Sequence, residues 1–134
     1  MQASCVLIEG TCSAEALVLV ERLSFWGGLD PATGRIIDPH HPQNGLSITG
    51  CLLVLPGTRG STSAPSALAE SIRCNTGPKG IILAERDVTI VVAVTLTAEL
   101  YDKSIPVVVI ETDDYHQIPT GQKLQIDPNG RVWL

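Results

Sequence analysis

The stretch from Gly57 to Ser63, Gly-Thr-Arg-Gly-Ser-Thr-Ser, gathers one guanidinium and four hydroxyls on seven residues. It follows the apolar run Val54-Leu55-Pro56 and precedes Ala64-Pro65, where a helix is expected to begin. The unpaired N–H groups of a first helical turn, at the positive end of the helix dipole, favour an anion. Gly57 and Gly60 allow the backbone to bend and to approach a ligand closely. Pro65 suits a first helical turn, and Ser63 can cap it. One reading is a loop that holds a carboxylate or phosphate beside Arg59 and Ser61. The other is a surface turn with Arg59 in solvent. Residue types alone leave both open.

Two phosphate- and ester-handling patterns are absent. No Lys-Ser or Lys-Thr follows Gly60, as a nucleotide-triphosphate loop requires. Gly60 directly precedes Ser61 and no glycine stands at position 63, so the Gly-x-Ser-x-Gly nucleophile turn is missing. His40 and His41, flanked by Pro39 and Pro42, have no acidic or cysteine partner at helical spacing, which points to loop packing rather than metal ligation. A free-standing hydrolase built on Ser61 and His41 remains as a further alternative. Cys5, Cys12, Cys51 and Cys74 form no CxxC pair and are expected to be small buried hydrophobes.

With 134 residues the chain is expected to form a single domain, 1–134, with a sizeable core. Hydrophobic residues make up 44% and charged residues 17%, which excludes disorder. The net charge of −5 and the lack of any Lys/Arg cluster argue against nucleic acid, and few aromatics are present to stack bases. Met1–Cys5 lacks the basic start of a leader peptide, and no apolar run approaches the roughly 20 residues of a membrane span. A cytoplasmic protein without a membrane partner is expected.

The elements that must position the loop are strand-rich. Cys5–Gly10 reads as a first strand, and Ala14–Arg22 as a second because Leu17-Val18-Leu19-Val20 is too apolar and β-branched for a surface helix. Phe25-Trp26 reads as a core anchor beside the close-approach glycines Gly27 and Gly28. Asp30-Pro31-Ala32-Thr33-Gly34 is a strong turn signal and forms a hairpin tip before Arg35–Asp38. Residues 51–55, 80–84 and 105–110 are continuous apolar runs, the mark of strands covered on both faces. Ala64–Cys74 shows helical spacing and stops at Asn75-Thr76-Gly77-Pro78. Val88–Tyr101 ends like a helix, although its β-branched residues oppose helix formation unless burial overrides them. Leu124–Asp127 and Arg131–Leu134 flank Pro128-Asn129-Gly130 as a final hairpin. The sum is an α/β chain: parallel strands at 51–55, 81–84 and 106–110 with helices between them, and β hairpins flanking.

Several motifs then coincide. Ser24-Phe25-Trp26-Gly27-Gly28-Leu29-Asp30-Pro31-x-Thr33-Gly34-x-Ile36-Ile37-Asp38, followed by His41-Pro42 and Gly45, resembles the small subunit or swivel domain of the aconitase X family. So do Val54-Leu55-Pro56-x-x-Arg59-Gly60-Ser61-Thr62 and Ser104-Ile105-Pro106-Val107-Val108, in the same order and over nearly the whole chain. The resemblance implies a swivelling β/β/α fold and a two-part hydro-lyase. Its large subunit would hold the iron–sulfur cluster and much of the substrate site, so this chain alone would be inactive. It implies Ser61 as the catalytic base, with Arg59, Gly60, Thr62 and Ser63 toward substrate and no metal ligand in this chain. The implied reaction dehydrates a small β-hydroxy carboxylate. Sparse lysine (Lys79, Lys103 and Lys123 only) favours cis-3-hydroxy-L-proline over 5-phosphomevalonate. A non-catalytic anion-binding module is the alternative of another class.

Overall fold

The computed structural model describes residues 1–59 and 64–133. In chain order its elements are β1 (Cys5–Ile8), β2 (Cys12–Val18), α1 (Phe25–Gly28), β3 (Leu29–Asp30), β4 (Arg35–Ile36) and β5 (Leu52–Leu55). Then come α2 (Ala64–Arg73), β6 (Gly80–Leu83), α3 (Val88–Tyr101), β7 (Val107–Val109), α4 (Thr112–Tyr115), β8 (Lys123–Ile126) and β9 (Val132–Trp133).

Seven strands form one mixed sheet in the order β1-β7-β6-β5-β2-β8-β9, and β3-β4 is a separate hairpin. The central strands β2, β5, β6 and β7 are parallel. β1 closes one edge antiparallel to β7, and β8 lies antiparallel to β2 on the other side. The expected α/β architecture is therefore present, with a fourth parallel strand, β2. The expected terminal hairpin exists as β8–β9, and it extends the main sheet through β2. β2 divides its pairing: Cys12–Glu15 meet β8, and Ala16–Val18 meet β5.

The apolar runs are continuous because alternate residues feed two cores. Leu53, Leu55, Ile81, Leu83, Val107 and Val109 pack with Leu68, Ile72, Ile90 and Val94 of the helices. Their neighbours Leu52, Val54, Ile82 and Val108 face the opposite core, with Tyr115, Ile118, Leu124 and Ile126. Side chains alternate across a strand, so both sets can be apolar only in a sheet covered on both sides. α2 and α3 pack against each other over one face.

Helix α3 forms despite its valines because Ile90, Ala93, Val94 and Thr97 are buried and Asp87 caps its first turn, accepting from the Ile90 N–H. Burial is only half the account, since Val88, Val92, Leu96 and Leu100 at i, i+4 spacing are exposed. Asp30 shapes the β3–β4 turn as its sequence predicts, accepting from the Ala32 N–H and the Thr33 hydroxyl while Gly34 adopts φ +72°. Trp26 departs from expectation. Phe25 is fully buried, but Trp26 is 57% exposed. Gly27 is there for its φ of +79° rather than for close approach, since a Cβ added to it meets nothing. Among the described residues, no helix is long and apolar enough to cross a membrane.

Candidate functional site

The parallel strands β2, β5, β6 and β7 end at one edge of the sheet, and the segments that leave them there are 19–24, 56–59, 84–87 and 110–111. In open α/β sheets this carboxyl edge is where ligands bind. The stretch read from sequence as an anion loop leaves β5 at this edge, and α2 begins at Ala64 just beyond it. Gly60, Ser61, Thr62 and Ser63, including the proposed Ser63 cap, lie outside the described residues.

The described stem of the loop, Pro56–Arg59, is held from several directions. The Thr58 N–H and hydroxyl both donate to Asp87 Oδ2, each at 2.7 Å. The Arg59 N–H donates to the Leu23 carbonyl at 3.1 Å, where Leu23 and Thr58 form a parallel bridge. Arg22 donates through Nη1 to the Thr58 carbonyl at 3.4 Å and forms an ion pair with Glu85. Three of the four carboxyl-edge segments therefore meet at Thr58. The Arg59 side chain is exposed to solvent.

Gly57 has a different role from the one its sequence suggested. A Cβ there would lie 2.5 Å from Arg22 Nη1, 3.1 Å from Glu85 Oε1 and 3.4 Å from Asp87 Oδ2. What approaches its backbone closely is the protein's own charged cluster. Asp87 was not singled out from the sequence, although an acid just before an apolar run is a helix-cap signal. Its grip on Thr58, 29 residues earlier, and the roles of Arg22 and Glu85 had no sequence signal.

An open groove of about 610 Å³ runs beside the first turns of α2, lined by Phe25, Trp26, Leu29, Ser66, Ala67 and Glu70. The Arg73 guanidinium, hydrogen-bonded to Glu70, holds that carboxyl below the usual carboxylate range, so it is ionised at neutral pH. A second cavity of about 500 Å³ lies at the opposite, amino edge, among Cys12, Thr49, Gly77, Lys79 and Lys103. The Lys103 ammonium there already donates to the Arg73 carbonyl and Asn75 Oδ1, both at 2.9 Å.

His41 is buried, with Nδ1 accepting the Gln43 N–H at 3.0 Å and Nε2 facing the Glu21 carbonyl at 3.4 Å. Acceptance at Nδ1 places the ring proton on Nε2. Neither nitrogen has a lone pair free to take a proton from a serine, which removes His41 as a hydrolase base and supports its loop-packing role. The cysteines are partly buried and unpaired, and burial pushes the Cys51 thiol up to about 12 and Cys12 up to about 11. They sit in β1, at the start of β2, before β5 and after α2. Among the described residues no three His, Cys, Asp or Glu side chains are grouped to hold a metal. The described donor set does not fit an iron–sulfur cluster.

The aconitase X swivel domain family matches residues 1–134. The phosphomevalonate dehydratase small subunit of Methanopyrus kandleri is 38% identical over 126 residues, covering 93% of this chain and 89% of that protein. The cis-3-hydroxy-L-proline dehydratase of Hypocrea jecorina is 35% identical over 120 residues, covering 90% of this chain. The chain spans only 20% of that relative's length. Among solved structures, the holo-form of Thermococcus kodakaraensis aconitase X superposes with a TM-score of 0.85 at 30% identity, covering 98% of this chain and 95% of that one.

Proposed function

The chain belongs to the aconitase X swivel domain family, and from that premise we propose that it is the small subunit of a two-subunit hydro-lyase that dehydrates a β-hydroxy carboxylate. The observation that carries this reading is the matching of a separate small subunit over 89% of its length, chain for chain. The same observation favours 5-phosphomevalonate as substrate over cis-3-hydroxy-L-proline, the substrate that sparse lysine suggested. Charge content tracks growth temperature rather than substrate. The hydroxyproline reading stays as the second one because the Hypocrea jecorina relative is 35% identical over 120 residues of this chain.

In this reading Ser61 Oγ takes the proton from the carbon next to the substrate carboxylate. A serine oxygen is a weak base unless its negative charge is stabilised, which the start of α2 and the Arg59 guanidinium are placed in sequence to do. Gly60, Thr62 and Ser63 complete the contacts to the small hydroxy acid. Loss of the neighbouring hydroxyl falls to the large subunit, which would also hold the iron–sulfur cluster. Exposed apolar surface on Trp26 and along α3 supports a partner chain.

The test is anaerobic co-expression with the cognate large subunit and assay of both hydroxy acids, with Ser61→Ala as control. Turnover of phosphomevalonate, lost in Ser61→Ala while the complex still assembles, is expected. Turnover of cis-3-hydroxy-L-proline instead would keep the mechanism and reverse the substrate. A loaded complex inactive on both would favour a non-catalytic anion-binding module.

A further inference from the structure

We propose that Asp87 is a positioning residue of this reaction, fixing the stem of the Gly57–Ser63 loop to the first turn of α3; this rests on the reading of that loop as catalytic. An aspartate that only caps a helix needs one oxygen. Here Oδ1 accepts the Ile90 N–H at 3.2 Å, and Oδ2 accepts both the N–H and the hydroxyl of Thr58 at 2.7 Å. Bonds to an ionised carboxylate at this length are the strong, directional kind. The helix they are tied to is packed on α2 and has Ile90, Ala93 and Val94 fully buried, so it is a rigid reference. Arg22 and Glu85 bracket the same point, and the missing side chain of Gly57 leaves them room. Thr58 stands three residues before Ser61. A displacement of about 1 Å at a reacting group can lower a rate on the order of a hundredfold.

The experiment uses the assembled two-subunit complex with Asp87→Ala, Asp87→Asn, Thr58→Val, Thr58→Ser and Asp87→Ala/Thr58→Val. Asp127→Ala serves as control: Asp127 Oδ1 accepts the Asn129 and Arg131 N–H groups in the turn after β8, at the amino edge of the sheet. In Asp87→Ala, kcat is expected to fall about a hundredfold with KM changed less than about threefold. Thr58→Val should fall about tenfold and Thr58→Ser should stay near wild type, while the double variant should be no slower than Asp87→Ala. Asp127→Ala should lower Tm comparably and leave kcat near wild type. Amide hydrogen exchange at Thr58 and Arg59 should accelerate at least about tenfold in Asp87→Ala and less in Asp87→Asn, which keeps one acceptor. Should Asp87→Ala fail to assemble, Asp87→Asn and Thr58→Val carry the same comparison.

Unchanged exchange at Thr58, additive losses in the double variant, or losses of kcat that merely follow Tm as in Asp127→Ala would each overturn the proposal. An active wild type with an inactive Ser61→Ala and a fully active Asp87→Ala refutes the positioning role alone. An active Ser61→Ala refutes the catalytic reading of the loop, whatever Asp87 does.

Discussion

Replacing Gly57 by alanine separates the stability of this molecule from its proposed activity. The backbone there lies outside the left-handed region, so an alanine is not strained by its own φ. The added methyl lies 2.5 Å from Arg22 Nη1, the far end of a flexible side chain, and must push it aside. That breaks the ion pair with Glu85, whose side chains are 41% and 51% exposed, and a pair so exposed contributes at most about 1 kcal/mol. It also loses the 3.4 Å bond to the Thr58 carbonyl, worth about 0.5 kcal/mol at that length. Against this, alanine stiffens the unfolded chain by about 0.4–1 kcal/mol. The net loss is therefore at most about 1 kcal/mol, a fall in Tm of no more than roughly 4 °C for a chain of this size. Activity should suffer more, because the displaced groups bracket Thr58: kcat in the assembled complex should drop about tenfold, or about 1.4 kcal/mol of barrier. Urea denaturation of the subunit and steady-state assay of the complex measure the two quantities. A stability loss above about 3 kcal/mol would refute the account of what the methyl meets. Unchanged kcat would refute the link from stem to site.

Stability should fall above pH 9, because the folded chain keeps the Cys51 proton, its thiol pushed up to about 12, while the unfolded chain releases it near 9. Nothing is lost below about pH 9, and between 9 and 12 the loss is up to about 1.4 kcal/mol per pH unit. Cys12, raised to about 11 and more open to solvent, adds in the same direction and more weakly. Urea melts of wild type and Cys51→Ala across this range should diverge, with the variant flatter; parallel curves would refute the burial of the thiol. Gly34→Ala should lose about 2–5 kcal/mol, since the residue sits at φ +72° and its methyl would overlap the Thr76 carbonyl oxygen and the Thr49 hydroxyl. A loss under about 1 kcal/mol in urea denaturation would show that the β3–β4 turn relaxes freely.

The strands at 52–55, 80–83 and 107–109 were legible because both faces are buried, which writes an unbroken apolar run into the chain. Asp30, Gly34 and Asn75 announced their turns, since a side-chain acceptor or a positive φ is a property of the residue itself. Trp26 misled because an indole is as apolar in a groove as in a core, and only the packing of α1 on α2 decides which. The partners of β1 and β2 were also silent: a strand's pattern shows which face is buried, not which neighbour it pairs with. For the candidate site, the chain by itself set out the groups available for the proposed chemistry, placing Arg59 and the hydroxyls of 61–63 between a buried strand and a helix start. Where that stem is anchored was decided only in three dimensions. Arg22, Glu85 and Asp87 are scattered along the chain, and a hydrogen bond over 29 residues needs the parallel sheet that brings the strand ends together.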